Sequence, residues 1–301
     1  MTTVEEEVTQ TIVNAMTVDL EEYFQVAALS NVIDRDNWAT ISSRVVRSTN
    51  RLLEIFERNN VSATFFCLGW VAEKHPQLVR QIVSAGHEIA CHGYSHQLIY
   101  RQTPDEFRRE TQRAKIVLED QAGCPVLGYR AATYSITEKS RWALEILAEL
   151  GFEYDSSIVP VRHDRYGIPS SERRPHKLRL SSGCELTEFP PSTLRIAFFN
   201  IPIAGGGYFR LFPYWLTKWG IARLNKVEVL PCSFYIHPWE LDPDQPKLEV
   251  NWKSRFRHYH NLSVCESRFR QLLADFSFTT MRNVLSQQKL TVFPFRTDSP
   301  E

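Results

Sequence analysis

The chain has 301 residues, 43% hydrophobic and 23% charged, and its 35 Lys and Arg balance 35 Asp and Glu to a formal charge of zero. That length and apolar share suit one large barrel-sized core rather than two, and a neutral balance gives no long-range pull toward nucleic acid. No run approaches a membrane span, and residues 1–11 are acidic without the basic start or apolar stretch of a secretory signal. With Met1 taken as the natural start, the expected location is cytoplasmic.

An N-terminal tail is expected over residues 1–14. Beyond it, Met16, Val18 and Leu20 alternate with Thr17, Asp19 and Glu21, the period-two pattern of a strand with both acids on one face. Two acids so placed are costly unless they meet a cation; the other reading is that Glu21 and Glu22 begin a helix, where acids favour the dipole. Residues 49–59 repeat Leu52, Leu53 and Phe56 at helical spacing, and residues 62–68 and 88–91 read as strands. Helices follow over 104–119 and 140–150, with acids early and apolar residues at helical spacing. Gly205-Gly206-Gly207 and Pro190-Pro191 mark loops rather than domain borders. Residues 232–236 form an apolar and aromatic run that reads as a buried strand ending at His237 and Pro238. After Pro246 comes a basic, aromatic stretch, residues 252–259, then a helical pattern over 263–276 that reads as a cover for the core. The alternation predicts an α/β chain of parallel β/α units with active residues at strand ends. One domain is expected over 15–285, including a C-terminal extension from about 240, with a C-terminal tail over 286–301.

The run Cys91-His92-Gly93-Tyr94-Ser95-His96 sets two imidazoles four positions apart after the apolar residues 85–90. A strand ending in His and passing into a helical first turn would point both at one spot, an arrangement suited to a divalent ion such as zinc. The same spacing also arises from one surface His and one helix cap. A catalytic metal keeps three protein ligands, so an acid from another strand end is required, and the stretch bearing Asp19 and Glu21 supplies it. Cysteines 67, 91, 124, 184, 232 and 265 have no CxxC spacing and are expected as buried small hydrophobes in a reducing compartment. His163 and Asp164, in a loop with Arg162, Arg165 and Tyr166, read equally as substrate contacts or as a solvated connection. His75 and His87 read as structural, and His176, His258 and His260 receive no role.

Asp19-Leu20-Glu21, the His92-to-His96 run, Gly128-Tyr129-Arg130-Ala131-Ala132-Thr133-Tyr134 and Tyr235-Ile236-His237-Pro238-Trp239-Glu240 follow in the order of the motifs of the polysaccharide deacetylase family, the NodB-homology carbohydrate esterases. The first motif resembles that of the Asp-x-Glu subgroup. Tyr154-Asp155-Ser156-Ser157, residues 162–169, Glu188-Phe189-Pro190-Pro191-Ser192 and residues 205–210 further resemble deacetylases encoded with exosortase-type exopolysaccharide clusters, so that the resemblance runs from about 16 to 285. It implies a distorted (β/α) barrel of the NodB type with a C-terminal helical and loop extension. It also implies metal-dependent removal of N-acetyl groups from N-acetylhexosamine units of a polysaccharide or its precursor, in exopolysaccharide biosynthesis, at the inner membrane face. On that resemblance Glu21, His92 and His96 hold one divalent metal, most naturally zinc, although cobalt, nickel or manganese suit the same donors. Asp19 is then the general base, Arg130 its clamp, the Thr133 backbone N–H part of the oxyanion pocket, and His237 the general acid. The chain departs from the family in carrying Ala132 where Pro is usual and Thr133 where Tyr is common, so the loop loses the stiffness that Pro would impose. Trp239 reads either as a sugar-flanking or as a core aromatic. The expected partner is an N-acetylated glycan. Two alternatives are a hydrolase of a small cyclic amide or ureide, as in allantoinase-like members of the superfamily, and a noncatalytic glycan binder, against which the joint presence of Asp19, Arg130 and His237 argues.

Overall fold

The computed structural model describes residues 12–203 and 205–295. Its first half runs β1 (Asn14–Leu20), α1 (Val45–Asn59), β2 (Thr64–Cys67), α2 (Gly69–Lys74), α3 (Pro76–Ser84), β3 (Glu88–Cys91), α4 (Pro104–Ala122), β4 (Gly128–Tyr129), α5 (Trp142–Glu149) and β5 (Tyr154–Asp155). The second half is less regular: β6 (His176–Arg179), β7 (Glu185–Glu188), β8 (Thr193–Ile196), β9 (Phe199–Pro202), α6 (Gly206–Leu211), α7 (Tyr214–Lys226), β10 (Ser233–Ile236), α8 (Trp252–Tyr259), α9 (Leu262–Asp275), β11 (Phe278–Thr279), α10 (Met281–Ser286) and β12 (Val292–Pro294).

Ten strands form one sheet in the order β10-β1-β2-β3-β4-β5-β7-β6-β12, with β11 also on β1. All its pairings are parallel except that of β6 with β7. Among the described residues no pairing joins β10 to β12, which leaves the barrel short of closure. β1 is buried along its whole length, as expected of a central parallel strand covered on both faces. The register aligns the carboxyl ends: Leu20 lies beside Cys67, Cys67 beside Cys91, Cys91 beside Tyr129, and Tyr129 beside Asp155. Glu21, His92, Arg130 and Ser156, each the next residue after its strand, therefore emerge along one rim, and His237 follows β10 in the same way.

Local chemistry sets the helix ends. α4 opens on a Thr103–Glu106 capping box with Pro104 in its first turn and stops at Gly123, whose φ of 67° closes it. α1 starts at Val45, earlier than residue 49, and ends on left-handed Asn60. α9 buries Cys265, Phe269 and Leu272, and the Phe269 ring packs on Phe56 and Phe234, so the expected cover over the core is present.

Several expectations need correction. Residues 92–96 form no helical turn: Gly93 (φ 77°) and His96 (φ 52°) are left-handed, which breaks the helix path while still bringing both rings together. Glu21 and Glu22 start no helix; Glu22 is buried and accepts from the Arg44 amide and the Ser43 hydroxyl. Gly206 and Gly207 begin α6 rather than lying in a loop. Cys124 and Cys184 are exposed, whereas the other four cysteines are buried. The expected C-terminal tail contributes β12, paired with β6, up to Pro294. Residues 1–11 and 296–301 of the two expected tails lie outside the described residues. No helix among the described residues is long and apolar enough to cross a membrane.

Candidate active site

One pocket of about 190 Å³ on the strand rim is lined by Asp19, Glu21, His92, His96, Thr133 and His237, together with Tyr134, Tyr166, Tyr235 and Trp239. The ring centroids of His92 and His96 are 5.4 Å apart. Donor atoms of Glu21, His92 and His96, all three buried, lie within 4.8 Å of one another. His92 Nδ1 is 2.8 Å from the Arg130 carbonyl oxygen, which can only accept; the proton therefore sits on Nδ1 and the bare Nε2 is the free ligand atom. Burial, with His96 beside it, brings His92 down to about 4 against the opposing pull of Asp19 and Glu21, so the ring is neutral, as a ligand must be. Glu21 Oε2 is buried and lies 2.9 Å from His96 Nε2, with no partner besides that imidazole. Burial alone would raise Glu21, but the charge and hydrogen bond of His96, with the charges of His237 and His92, hold it at about 2. A buried carboxylate oxygen beside two buried imidazoles is a donor set that fits a divalent ion.

Asp19 faces the same pocket from the adjacent pleat. Its Oδ1 accepts from Arg130 Nη1 at 2.7 Å, and both groups are buried. Arg130 is held in turn by Thr17 Oγ1, the Ser156 carbonyl and Ser156 Oγ, and lies over the Phe66 ring. Burial works against its charge, but the Asp19 carboxylate outweighs this and raises its pKa.

The loop after Arg130 is strained and pinned. Thr133 (φ 55°) and Tyr134 (φ 54°) are consecutive left-handed residues, a conformation that costs roughly 1–2 kcal/mol for a side-chain-bearing residue. Ser157 Oγ accepts from the Ala131 amide at 2.8 Å and donates to Asp155 Oδ1 at 2.6 Å, while Ser135 Oγ donates to the Ala132 carbonyl at 2.6 Å. These tethers restrain the loop where Ala132 replaces the usual Pro. The amides of Tyr134 and Ser135 donate back to Ala131 and Ala132, which leaves the Thr133 amide at the pocket wall without such an acceptor.

His237 stands across the pocket, its Nε2 3.6 Å from Glu21 Oε1 and 3.9 Å from Asp19 Oδ2. Its Nδ1 meets Glu240 Oε2 at 3.0 Å, and Arg210 Nε donates to Glu240 Oε1 at 2.6 Å. Burial lowers the pKa of His237, but the Glu240 hydrogen bond and charge, with Glu21 and Asp19, outweigh it and raise the ring to about 9. Trp239 donates to Glu21 Oε1 and is stacked between His237 and His258, so it orients a candidate ligand rather than being a plain core aromatic.

Arg210, Glu240, His258, Asp155, Ser157 and Glu188 were missed as site residues. Asp155 and Glu188 form a fully buried acid pair beneath Arg130; burial raises both, Asp155 to about 6. His258 lies against Gln245 and under Trp239, with burial and Arg210 lowering it to about 3. Asp155, Ser157, Glu188, Arg210 and Glu240 lie in stretches that carry the family resemblance, but no role follows from the stretches alone, and His258 had no such signal. His163 and Asp164 pair with each other at 3.0 Å and do not line the pocket, although Tyr166, stacked on His163, does. His87 is buried and accepts from the Ala63 amide, and His75 sits between α2 and α3, so both are structural.

Residues 36–154 match the family described as Polysaccharide deacetylase, and residues 156–286 match a Domain of unknown function (DUF3473). The chain carries a polysaccharide deacetylase domain. Asp19 and Glu21 precede the residues matched to that deacetylase domain, His92, His96 and Arg130 lie within them, and His237 with Glu240 and Arg210 comes from the DUF3473 region. The chain is 36% identical over 98 residues to a peptidoglycan-N-acetylglucosamine deacetylase of Bacillus cereus, covering 32% of this chain and 36% of that protein. It spans about a third of the length of the curated relatives it matches. Among solved structures, a Mycobacterium smegmatis protein assigned to the polysaccharide deacetylases superposes with a TM-score of 0.62 at 22% identity, over 99% of this chain and 97% of that one. An allantoinase superposes at 0.59 and 15% identity, over 93% and 91%. At these identities the likeness concerns the fold, a NodB-type (β/α) arrangement around a mostly parallel sheet.

Proposed function

We propose that the chain is a metal-dependent hydrolase that removes N-acetyl groups from N-acetylhexosamine units of a polysaccharide or its precursor during exopolysaccharide assembly. Zinc is the metal we favour, and the cytoplasm, at the inner membrane face, the location. The observation that carries the reading is the Asp19–Arg130 pair beside the Glu21, His92 and His96 donors, with a charged His237 opposite. A divalent ion held by those three donors would supply Lewis acidity, bringing the pKa of water toward about 7 and polarising the acetyl carbonyl. Asp19, fixed by Arg130, takes the proton of the attacking water. The free Thr133 amide faces the oxygen on which negative charge develops. His237, protonated at neutral pH through Glu240, gives a proton to the departing amine, so that acetate and a free amino sugar leave. A noncatalytic binder would have no use for base, clamp and acid around one 190 Å³ pocket. The test is acetate release from a panel of N-acetylated oligosaccharides, with allantoin as a control, after metal stripping and after metal return. Metal-dependent acetate release is expected; turnover of allantoin alone would favour the cyclic-ureide reading.

A further inference from the structure

The basic, aromatic stretch of α8 takes no part in the proposed chemistry, although the helix stands against the catalytic pocket. His258 is its buried anchor: the ring stacks on Trp239 with centroids 4.4 Å apart and lies 2.7 Å from Gln245 Oε1. Arg210 holds the end of the helix by donating to the Arg257 and His258 carbonyls. At 3.6 residues per turn, Trp252 and Phe256 then lie side by side on the face away from His258, with Arg255 on one flank and Lys253 and Arg257 on the other. Trp252 is 74% exposed and Phe256 46%, and all three cations are exposed. α8 carries no acid, and among the described residues none of its three cations forms an ion pair, whereas Arg51, Arg108 and Arg113, exposed on α1 and α4, all do. Burial lowers the pKa of His163, and Arg257 and Arg165 lower it further against Asp164, so the basic face continues onto the loop whose Tyr166 lines the pocket. Aromatic rings in the middle of an exposed face, with cations on both flanks, fit a bilayer interface: the rings meet the acyl boundary and the long cationic side chains reach the phosphates. With only two rings on eight residues, such contact is reversible.

We propose that this face of α8 docks the chain reversibly on an anionic lipid bilayer, with Trp252 and Phe256 at the headgroup boundary and Lys253, Arg255 and Arg257 on lipid phosphates. The docking rests on the membrane-face location of the proposed function and sets the catalytic pocket beside the headgroup layer. The test floats the metal-loaded full chain with vesicles of phosphatidylcholine alone and of phosphatidylcholine with about one third phosphatidylglycerol, at low and at high salt. Binding is expected on the anionic vesicles at low salt, and should weaken at high salt and on neutral vesicles. Lys253→Gln with Arg255→Gln should weaken it roughly 25-fold, about fivefold for each cation removed. Trp252→Ser with Phe256→Ser should weaken it about tenfold. The blue shift of tryptophan emission on binding should vanish in Trp252→Phe, although the chain has 7 tryptophans in all. These side chains lie outside the pocket, so acetate release from soluble oligosaccharides should stay at the wild-type level in both pairs. Absence of vesicle binding, equal binding to neutral and anionic vesicles, or binding unaltered in both pairs would overturn the assignment, as would the same pairs dispersing a dimer or releasing nucleic acid instead. Binding that needs α8 in a chain that releases no acetate would uphold the docking and count against hydrolysis; acetate release without vesicle binding would overturn the docking alone.

Discussion

Glu240 is the hinge between the DUF3473 region and the pocket, and Glu240→Gln tests how the site is held. The substitution keeps the shape and an oxygen for Arg210 Nε, but removes the charge that faces Arg210 at 2.6 Å and His237 at 3.0 Å inside the protein. Burial would raise this carboxyl, yet Arg210 and His237 lower it from 4.5 to about 2. At about 1.4 kcal/mol per pH unit that is roughly 3 kcal/mol of stability, near the 3–5 kcal/mol expected when one partner of a buried ion pair is removed. Because the folded carboxyl is depressed, the stabilisation is complete above pH 4.5 and is lost as pH falls from 4.5 toward 2. The same contact seen from His237, raised to about 9, is complete below 6.5 and is lost as pH rises through 9; it is one interaction counted once. Urea unfolding of metal-free wild type and variant should therefore differ by about 3 kcal/mol at pH 6, and the gap should narrow below pH 4.5. A gap under about 1 kcal/mol at pH 6, or one unchanged down to pH 3, would refute the reasoning.

Ser157→Ala should leave metal content intact and lower kcat about tenfold, since it frees the Ala131 amide and slackens the strained Thr133 loop; unchanged kcat in steady-state acetate release would show that the tether is idle. His237→Ala should slow N-acetyl sugars far more than an activated acetate ester, whose leaving group departs without a proton. Equal losses on the two substrates would remove the general-acid role. Gly128→Ala should destabilise strongly, because a Cβ there would lie 2.1 Å from the buried Tyr154 ring; thermal unfolding close to wild type would contradict that packing.

The rim of the sheet was legible wherever a local period carried the information. Met16, Val18 and Leu20 alternate with Asp19 and Glu21, and that pattern alone puts both acids on one face. α4 was readable because Thr103, Pro104 and Glu106 are start signals and Gly123 is a stop. The helical turn expected at His92 failed because Gly93 and His96 take left-handed angles that the spacing of two histidines does not encode. The contacts of Arg210, Glu240 and His258 were unreadable for another reason: they join residues 30 and 48 positions apart, and no periodicity reports which buried charges meet. β12 is three residues long and draws its order from pairing with β6, so nothing in its own composition marks it as a strand.

Two neighbouring carboxylates divide the proposed chemistry, Glu21 on the metal and Asp19 on the water, and measuring metal content and acetate release side by side for Asp19→Asn and Glu21→Gln tests that division. Asp19→Asn should keep about one divalent ion per chain with turnover reduced roughly 10²–10⁴-fold, and Glu21→Gln should hold its metal more weakly. Loss of metal in Asp19→Asn with full retention in Glu21→Gln would contradict it.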